Sequence, residues 1–487
     1  MSNKIQIAVA KGDGIGPEIM NAVLQILKAA DAPAEFQEVE MGKAVFEAGH
    51  SSGMTPESKE IVENTGILLK GPMETPKGKG VKSINVTARK VWNTYANVRR
   101  FKTLKGVDTV FSQADVDVDM TVVRENIEDT YSGIEYQPSP DIATGQRMIS
   151  KAGSEQLFRY SFELARQEGM KRIVCGHKSN IMKLTDGLFM ETFYEVAKDY
   201  PDIDATDAIV DDLAMKLVMY PQRYEMIVLP NLQGDILSDL CAGMVGGLGF
   251  APSANIGDKI SIFEAVHGTA PDIAGKKLAN PTALLMSSLM MLRRIGAPEA
   301  ADNIENSLIF CLEKGIHTAD FGAAETKPVN TEQFAEKIID NLGKKPTNSL
   351  PKDTPKQEKP FEKPPKPSKP TLHTYPVPKD IVTEGVDIFT IYQGLADDLV
   401  NEFNAIVPET LEIQSVSNRG TQVWPESSVF TECVPHYRLR FLLKKPGENL
   451  DTIYDLIRKT GEKFDITEVQ WLKRIEGKRS YALAQGQ

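Results

Sequence analysis

Cysteine is scarce in this chain: four residues in 487 (Cys175, Cys241, Cys311, Cys433), far apart. Such spacing forms neither a metal-ligand pattern nor a disulfide framework, and it fits a reducing compartment. Histidine is nearly as rare, at six scattered residues. Positive charge is in deficit, leaving a formal net charge of −11. Nucleic-acid binding, which needs clustered positive charge, is disfavoured. An anionic substrate is not, provided arginines gather locally. No apolar run approaches the ~20 residues of a membrane span. The opening MSNKIQIAVAKGDGIG lacks a basic stretch followed by an apolar one, so no signal peptide is expected. A cytoplasmic protein with no membrane or nucleic-acid partner is the expectation.

What the chain does have is length, enough for two or three domains. One boundary stands out. Residues 344–370 read KKPTNSLPKDTPKQEKPFEKPPKPSKP, nearly all Lys, Pro and acids without hydrophobic periodicity. Such a segment buries too little apolar surface to order itself and reads as an extended linker. Before it, strands alternate with helices. IQIAVA is a strand, GDGIGP a tight loop, EIMNAVLQILKAA a helix, and RIVCG and MIVLP short buried strands, an α/β pattern with a partly parallel sheet. GDGIGP follows a strand and opens a helix, yet it fails the G-x-G-x-x-G fingerprint because Pro17 takes the sixth position. A turn that needs glycine dihedrals is the simpler reading. After the linker the order is βαββαβ, the ferredoxin-like split arrangement. The expected layout is a catalytic region 1–343, a linker 344–379 and a C-terminal domain 380–487. Within the first, a large subdomain (1–99 and 251–343) interlocks with a small one (100–250).

Four stretches carry chemistry. SINVTARKVWNTYANVRRF offers Ser83, Asn85, Arg89 and Arg99, and DMTVVRENIEDTYSGIEY adds Arg124 and Tyr131. Three guanidinium forks with a Ser and an Asn suit a small polyanion, although each arginine alone reads more readily as a surface ion-pair partner. In NLQGDILSDLCAGMVGGLG, Asp235 and Asp239 are four apart and share a helix face. They can bind a hard cation such as Mg²⁺ or Mn²⁺, or merely cap and solvate the helix. In GHKSNIMKLTDG, Lys178 follows a strand at its C-terminal end, where α/β sheets place functional groups.

Together, GDGIGPE, KGPMETPKGKGVKSINVTAR, YANVR, RENIEDTYSGIE, HKSNIMK, NLQGDILSDL and HGTAPDIAGK resemble the metal-dependent β-decarboxylating dehydrogenases. This is the family of isocitrate, homoisocitrate and 3-isopropylmalate dehydrogenases, and the resemblance covers about residues 1–343. It implies that family's own fold, not a Rossmann fold. It implies that Ser83, Asn85, Arg89, Arg99 and Arg124 bind substrate, and that Asp211, Asp235 and Asp239 hold Mg²⁺ or Mn²⁺. Tyr131, assisted by Lys178, would protonate the enolate left after CO₂ departs. Asp211 and Lys178 would reach a neighbouring subunit's site, which implies at least a homodimer. Ser83 and Asn85 suit a third carboxylate and so favour isocitrate, which would make this a tricarboxylic acid cycle enzyme. Homoisocitrate, one methylene longer, is the alternative, and so is a non-catalytic regulatory subunit. Against the latter, none of the catalytic positions is lost. The C-terminal domain lies outside the common core, with oligomerisation or effector binding as candidate roles.

The resemblance also assigns cofactor contacts to Thr75, Asn180, Glu264, His267, Gly268, Thr269, Ala270, Asp272, Ile273, Asn280 and Asp320. NADP-dependent relatives carry a Lys-Tyr pair where this chain has Asp272-Ile273, and a later Tyr and Arg where it has Ala319 and Ala323. A carboxylate at 272 would repel a 2′-phosphate and accept hydrogen bonds from ribose hydroxyls. NAD is therefore the expected cofactor.

Overall fold

The computed structural model describes residues 4–74, 83–321, 326–347, 367, 369–427 and 429–483. Two compact units emerge, residues 1–132 with 147–370 and residues 133–146 with 371–487.

The first unit is built on a ten-stranded sheet with two parallel wings. One wing runs Ala34–Glu38, Ile5–Ala10, Ile67–Lys70, Ser261–Ala265. The other runs Asp119–Glu125, Met226–Leu229, Arg172–His177, Asp204–Ile209. Antiparallel strands Pro252–Ile256 and Ala96–Lys102 join them at the centre. Strands such as ILLK and MIVL are buried at every residue, as expected where helices cover both faces. The order is not that of a Rossmann sheet, in line with the expected α/β fold.

GDGIGP forms the turn between strand Ile5–Ala10 and helix Gly16–Ala29, with Pro17 in the helix's first turn. Gly12 and Gly14 take positive φ values of 73° and 60°. A Cβ on Gly14 would meet the Thr269 carbonyl oxygen at 2.0 Å, and one on Gly12 the Pro72 oxygen at 2.2 Å. The Ile15 N–H donates to Thr269 O (2.9 Å), and the Asp13 N–H to Pro72 O (2.7 Å). The glycines thus serve a tight turn that lets two further loops pack against it.

In the second unit the order Leu411–Asn418, His436–Leu443, Ile381–Ile391, Asp465–Ile475 is the ferredoxin-like sheet, with short strands Thr421–Trp424 and Lys478–Arg479 at its edges. Helices Ala396–Asn404 and Asp451–Lys463 cover one face through Leu399, Phe403, Ile453 and Leu456, which pack on Val386, Ile388, Leu439 and Phe441. The linear order did not anticipate that residues 133–146, the tip of hairpin Asp129–Ser139 and Ile142–Met148, belong to this unit. Among the described residues no helix is long and apolar enough to cross a membrane.

Candidate active site

The site lies in the first unit, where the central strands meet helix Asn231–Met244. Asn85 and Arg89 are one turn apart on helix Ile84–Val91, with Ser83 at its N-terminal boundary. Arg99 is not on that helix but on strand Ala96–Lys102. Arg124 is on strand Asp119–Glu125.

Arg124 is almost wholly buried. Its Nε donates to both the backbone and side-chain oxygens of Asn231 (3.0 Å each), its Nη2 donates to Asn231 Oδ1 (2.7 Å), and its Nη1 donates to Asp235. Arg99 spans the two aspartates, with Nη2 to Asp235 Oδ1 at 3.3 Å and Nη1 to Asp239 Oδ1 at 3.2 Å. The helix face shared by Asp235 and Asp239 thus points into the arginines. Burial, then the neighbouring Arg89 and Arg99, pulls the Arg124 guanidinium down to about 10. Tyr131 O–H donates to Asp235 Oδ2 at 2.5 Å, and Arg124 lies 4.8 Å from its ring centre. Burial and that hydrogen bond to a carboxylate raise the phenol, so it stays protonated at neutral pH. Burial favours the neutral form of Asp235, but Arg124, Tyr131 and Arg99 outweigh it and keep the group ionised.

On the other side, Glu264 is buried and bonded to Lys70, to Arg89 Nη2 (3.1 Å) and to Asn255 Nδ2 (2.7 Å). Lys70, itself buried, was missed in the sequence, as were Asn231, Asn97 and Asn255. Lys70's only signal was a lysine closing an apolar strand, ILLK. Asn97 relays from Asn255 (2.9 Å) to Arg99 Nε (2.8 Å), so one network joins Glu264 to the arginines. A cleft of about 100 Å³ opens here, lined by Asn85, Arg89, Arg99, Glu264, His267 and Gly268 among others. Three buried polar atoms on its wall, Asn85 Oδ1, Arg89 Nε and His267 Nε2, have no hydrogen-bond partner among the described residues. Buried groups of this kind are normally paired, so these stand ready for a ligand.

Lys178 and Asp211 form a separate ion pair, and the Asp211 side chain is 68% exposed. Among the described residues no three His, Cys, Asp or Glu side chains gather to hold a metal within one chain. Asp235 and Asp239 offer hard oxygen donors one helical turn apart, which suits Mg²⁺ or Mn²⁺.

Of the expected cofactor contacts, Glu264, His267 and Gly268 line the cleft. Thr269 and Ala270 continue that loop, with Ala270 at φ +38°. Asn280 donates to Asp320 (3.1 Å), and Asn180 is exposed beyond Lys178. Thr75 and Ala323 lie outside the described residues.

The family description isocitrate/isopropylmalate dehydrogenase matches residues 6–338, and that of the bacterial isocitrate dehydrogenase C-terminal domain matches 382–487. The chain belongs to the isocitrate/isopropylmalate dehydrogenase family. It is 44% identical over 484 residues to a Thermus thermophilus protein named isocitrate dehydrogenase [NADP], covering 99% of this chain and 96% of that one. A Rickettsia bellii protein of the same name is 38% identical over 494 residues, covering all of both. A solved T. thermophilus structure superposes with a TM-score of 0.91 at 42% identity, covering 99% of this chain and 96% of its own.

These near full-length relatives overturn the NAD expectation. That expectation rested on loop residues whose side chains do not carry it. Ile273 turns its side chain onto the hydrophobic core, so it is no substitute for a phosphate-contacting tyrosine. Asp272 is exposed, in the same turn as Lys276 and Lys277, and a solvated carboxylate there is screened.

Proposed function

We propose that this family member oxidises and decarboxylates isocitrate to 2-oxoglutarate and CO₂, with NADP⁺ as hydride acceptor and Mg²⁺ or Mn²⁺ held by Asp235 and Asp239. The observation that carries this is the crowding of Arg89, Arg99 and Arg124 beside Tyr131. Among the described residues, four cationic side chains (these three and Lys70) face three carboxylates (Asp235, Asp239, Glu264), leaving positive charge over for a polyanion. The names of the near full-length relatives support both substrate and cofactor.

The three guanidinium forks orient the substrate's carboxylates, and Asn85 on the cleft wall supplies a polar contact for the third. The bound cation would polarise the substrate's hydroxyl and the carbonyl that replaces it. Tyr131, kept protonated, holds its phenolic proton next to the arginines and donates it to carbon once CO₂ has left. Lys178 and Asp211, together on an exposed surface, are offered to a second copy, so the working unit is a homodimer with shared sites.

The test is steady-state turnover of the purified chain with NADP⁺ and NAD⁺, with isocitrate and homoisocitrate, and with or without chelator. Preference for NADP⁺ and isocitrate, abolished by chelation, is the expected result. Better use of NAD⁺ would overturn the cofactor assignment, and turnover of homoisocitrate alone would overturn the substrate.

A further inference from the structure

Three side chains outside the substrate cage, two of them fully buried, tie its parts together. Asp129 and Asp186 have fully buried carboxylates. Such groups survive burial only when paired. Arg147, near the end of strand Ile142–Met148, serves both: Nε bonds Asp129 and Nη1 bonds Asp186.

The remaining bonds of the two carboxylates go to segments that carry the site. Asp129 Oδ1 accepts the Thr130 N–H (2.8 Å), one residue before Tyr131. Asp129 Oδ2 accepts the Leu232 N–H (2.9 Å) in the first turn of the helix that bears Asp235. Asp186 Oδ2 accepts the N–H of Lys178 itself (2.6 Å) and Gln233 Nε2 (3.1 Å). Asp129 sits at φ +65°, a conformation a non-glycine residue holds only when its surroundings impose it. The turn into Tyr131, the loop of Lys178 and the helix of Asp235 therefore converge on one guanidinium. None of the three clamp residues faces the cleft.

We propose that the Asp129–Arg147–Asp186 clamp positions the proton-transfer groups, setting Tyr131 and Lys178 without touching substrate. This rests on the reaction proposed above, in which Tyr131 protonates the enolate and Lys178 is offered to the site of a second copy. A staple that served stability alone would need no bonds to the backbone of Lys178 and of the residue before Tyr131.

The test uses D186N, which keeps the volume but loses the charge, and R147K, which keeps the charge but loses the planar fork whose separate nitrogens serve the two carboxylates. Each is made in the full chain. Four quantities are read: kcat and KM for isocitrate, melting temperature, and exchange of the C3 protons of 2-oxoglutarate for deuterium with NADPH and Mg²⁺ present. Exchange reports the protonation step alone. In both variants exchange and kcat are expected to fall together by about 10–100-fold, with KM changed by less than about threefold. Exchange and kcat within about threefold of wild type, whether or not melting falls, would overturn the proposal. Should R147K fail to fold, D186N decides alone. A wild-type chain that turns over no isocitrate would instead refute the reaction itself.

Discussion

Lys70 closes a strand whose other residues are Ile, Leu and Leu, and it is buried with them. Its charge is tolerable only because Glu264, also buried, answers it. Replacing Lys70 with Met leaves the Glu264 charge answered by Arg89 and the Asn255 amide and is expected to lower unfolding free energy by about 3 kcal/mol at neutral pH. The pH dependence has a definite sign. Burial pushes the Glu264 carboxyl up, but Lys70 and Arg89 outweigh it and hold the group well below its ordinary 4.5. A depressed carboxylate contributes stability above its unfolded pKa and loses it as pH falls through the folded value. The gap between wild type and K70M in urea unfolding is therefore full at about pH 6–7 and narrows below about pH 4.5. A gap that stays flat on acidification would show that Lys70 contributes packing rather than charge. At this scale no arginine or aspartate declared itself alone, and it was the motifs taken together and in order that marked these residues as expected substrate and metal contacts. Lys70 and Arg147 stayed hidden because their meaning lies in partners distant along the chain: Glu264 is 194 residues from Lys70. The cofactor reading failed for the opposite reason. Four exchanged positions, Asp272, Ile273, Ala319 and Ala323, were read as lost phosphate contacts, and the exposed carboxylate of Asp272 was given the weight of a new one.

Helix Asn231–Met244 has two faces. Asp235 and Asp239 turn to the arginines, while Leu232, Ile236 and Leu240, spaced four apart, stand exposed. On helix Val210–Met219, which carries Asp211 in its first turn, Met215, Val218 and Met219 are exposed as well. A cluster of large apolar side chains beside an incomplete metal set is what a subunit interface requires. The double variant I236E/M219E is expected to dissociate the proposed homodimer, as seen by sedimentation equilibrium, and to lower kcat by at least about tenfold by removing Lys178 and Asp211 from the site proposed to be shared with the partner. A variant that stays dimeric and fully active would remove this face from the interface. Elements themselves were readable where their periodicity is strong. RIVCG and MIVLP are continuous apolar runs because both faces are covered. The hairpin Asp129–Ser139 and Ile142–Met148 was not, because polar and apolar residues mix along both strands and leave no alternation to read.

The two units have separate hydrophobic cores: Val386, Leu439 and Phe441 share a cluster with no residue of the catalytic sheet. Between the catalytic unit's last described helix, Thr331–Asp340, and the first strand of the ferredoxin-like sheet at Ile381 lies the Lys- and Pro-rich stretch. Domains with their own cores and such a connection unfold as separate cooperative units. Scanning calorimetry of the full chain is expected to show two transitions. Ligands confined to the first unit act on one of them. Mg²⁺-bound isocitrate at about 100 times its dissociation constant adds about 2.7 kcal/mol to the catalytic unit and should raise that transition by roughly 5 °C. The other transition should not move. One covalent feature argues for coupling: the strand that presents Tyr131 continues directly into residues 133–146 of the second unit. Ordering of Tyr131 by bound substrate would then be felt along that strand. If both transitions rise together, the ferredoxin-like unit is thermodynamically linked to occupancy of the active site, and its contribution is regulatory or conformational. If only one rises, that unit folds and melts independently of substrate, and its role is to be sought in assembly.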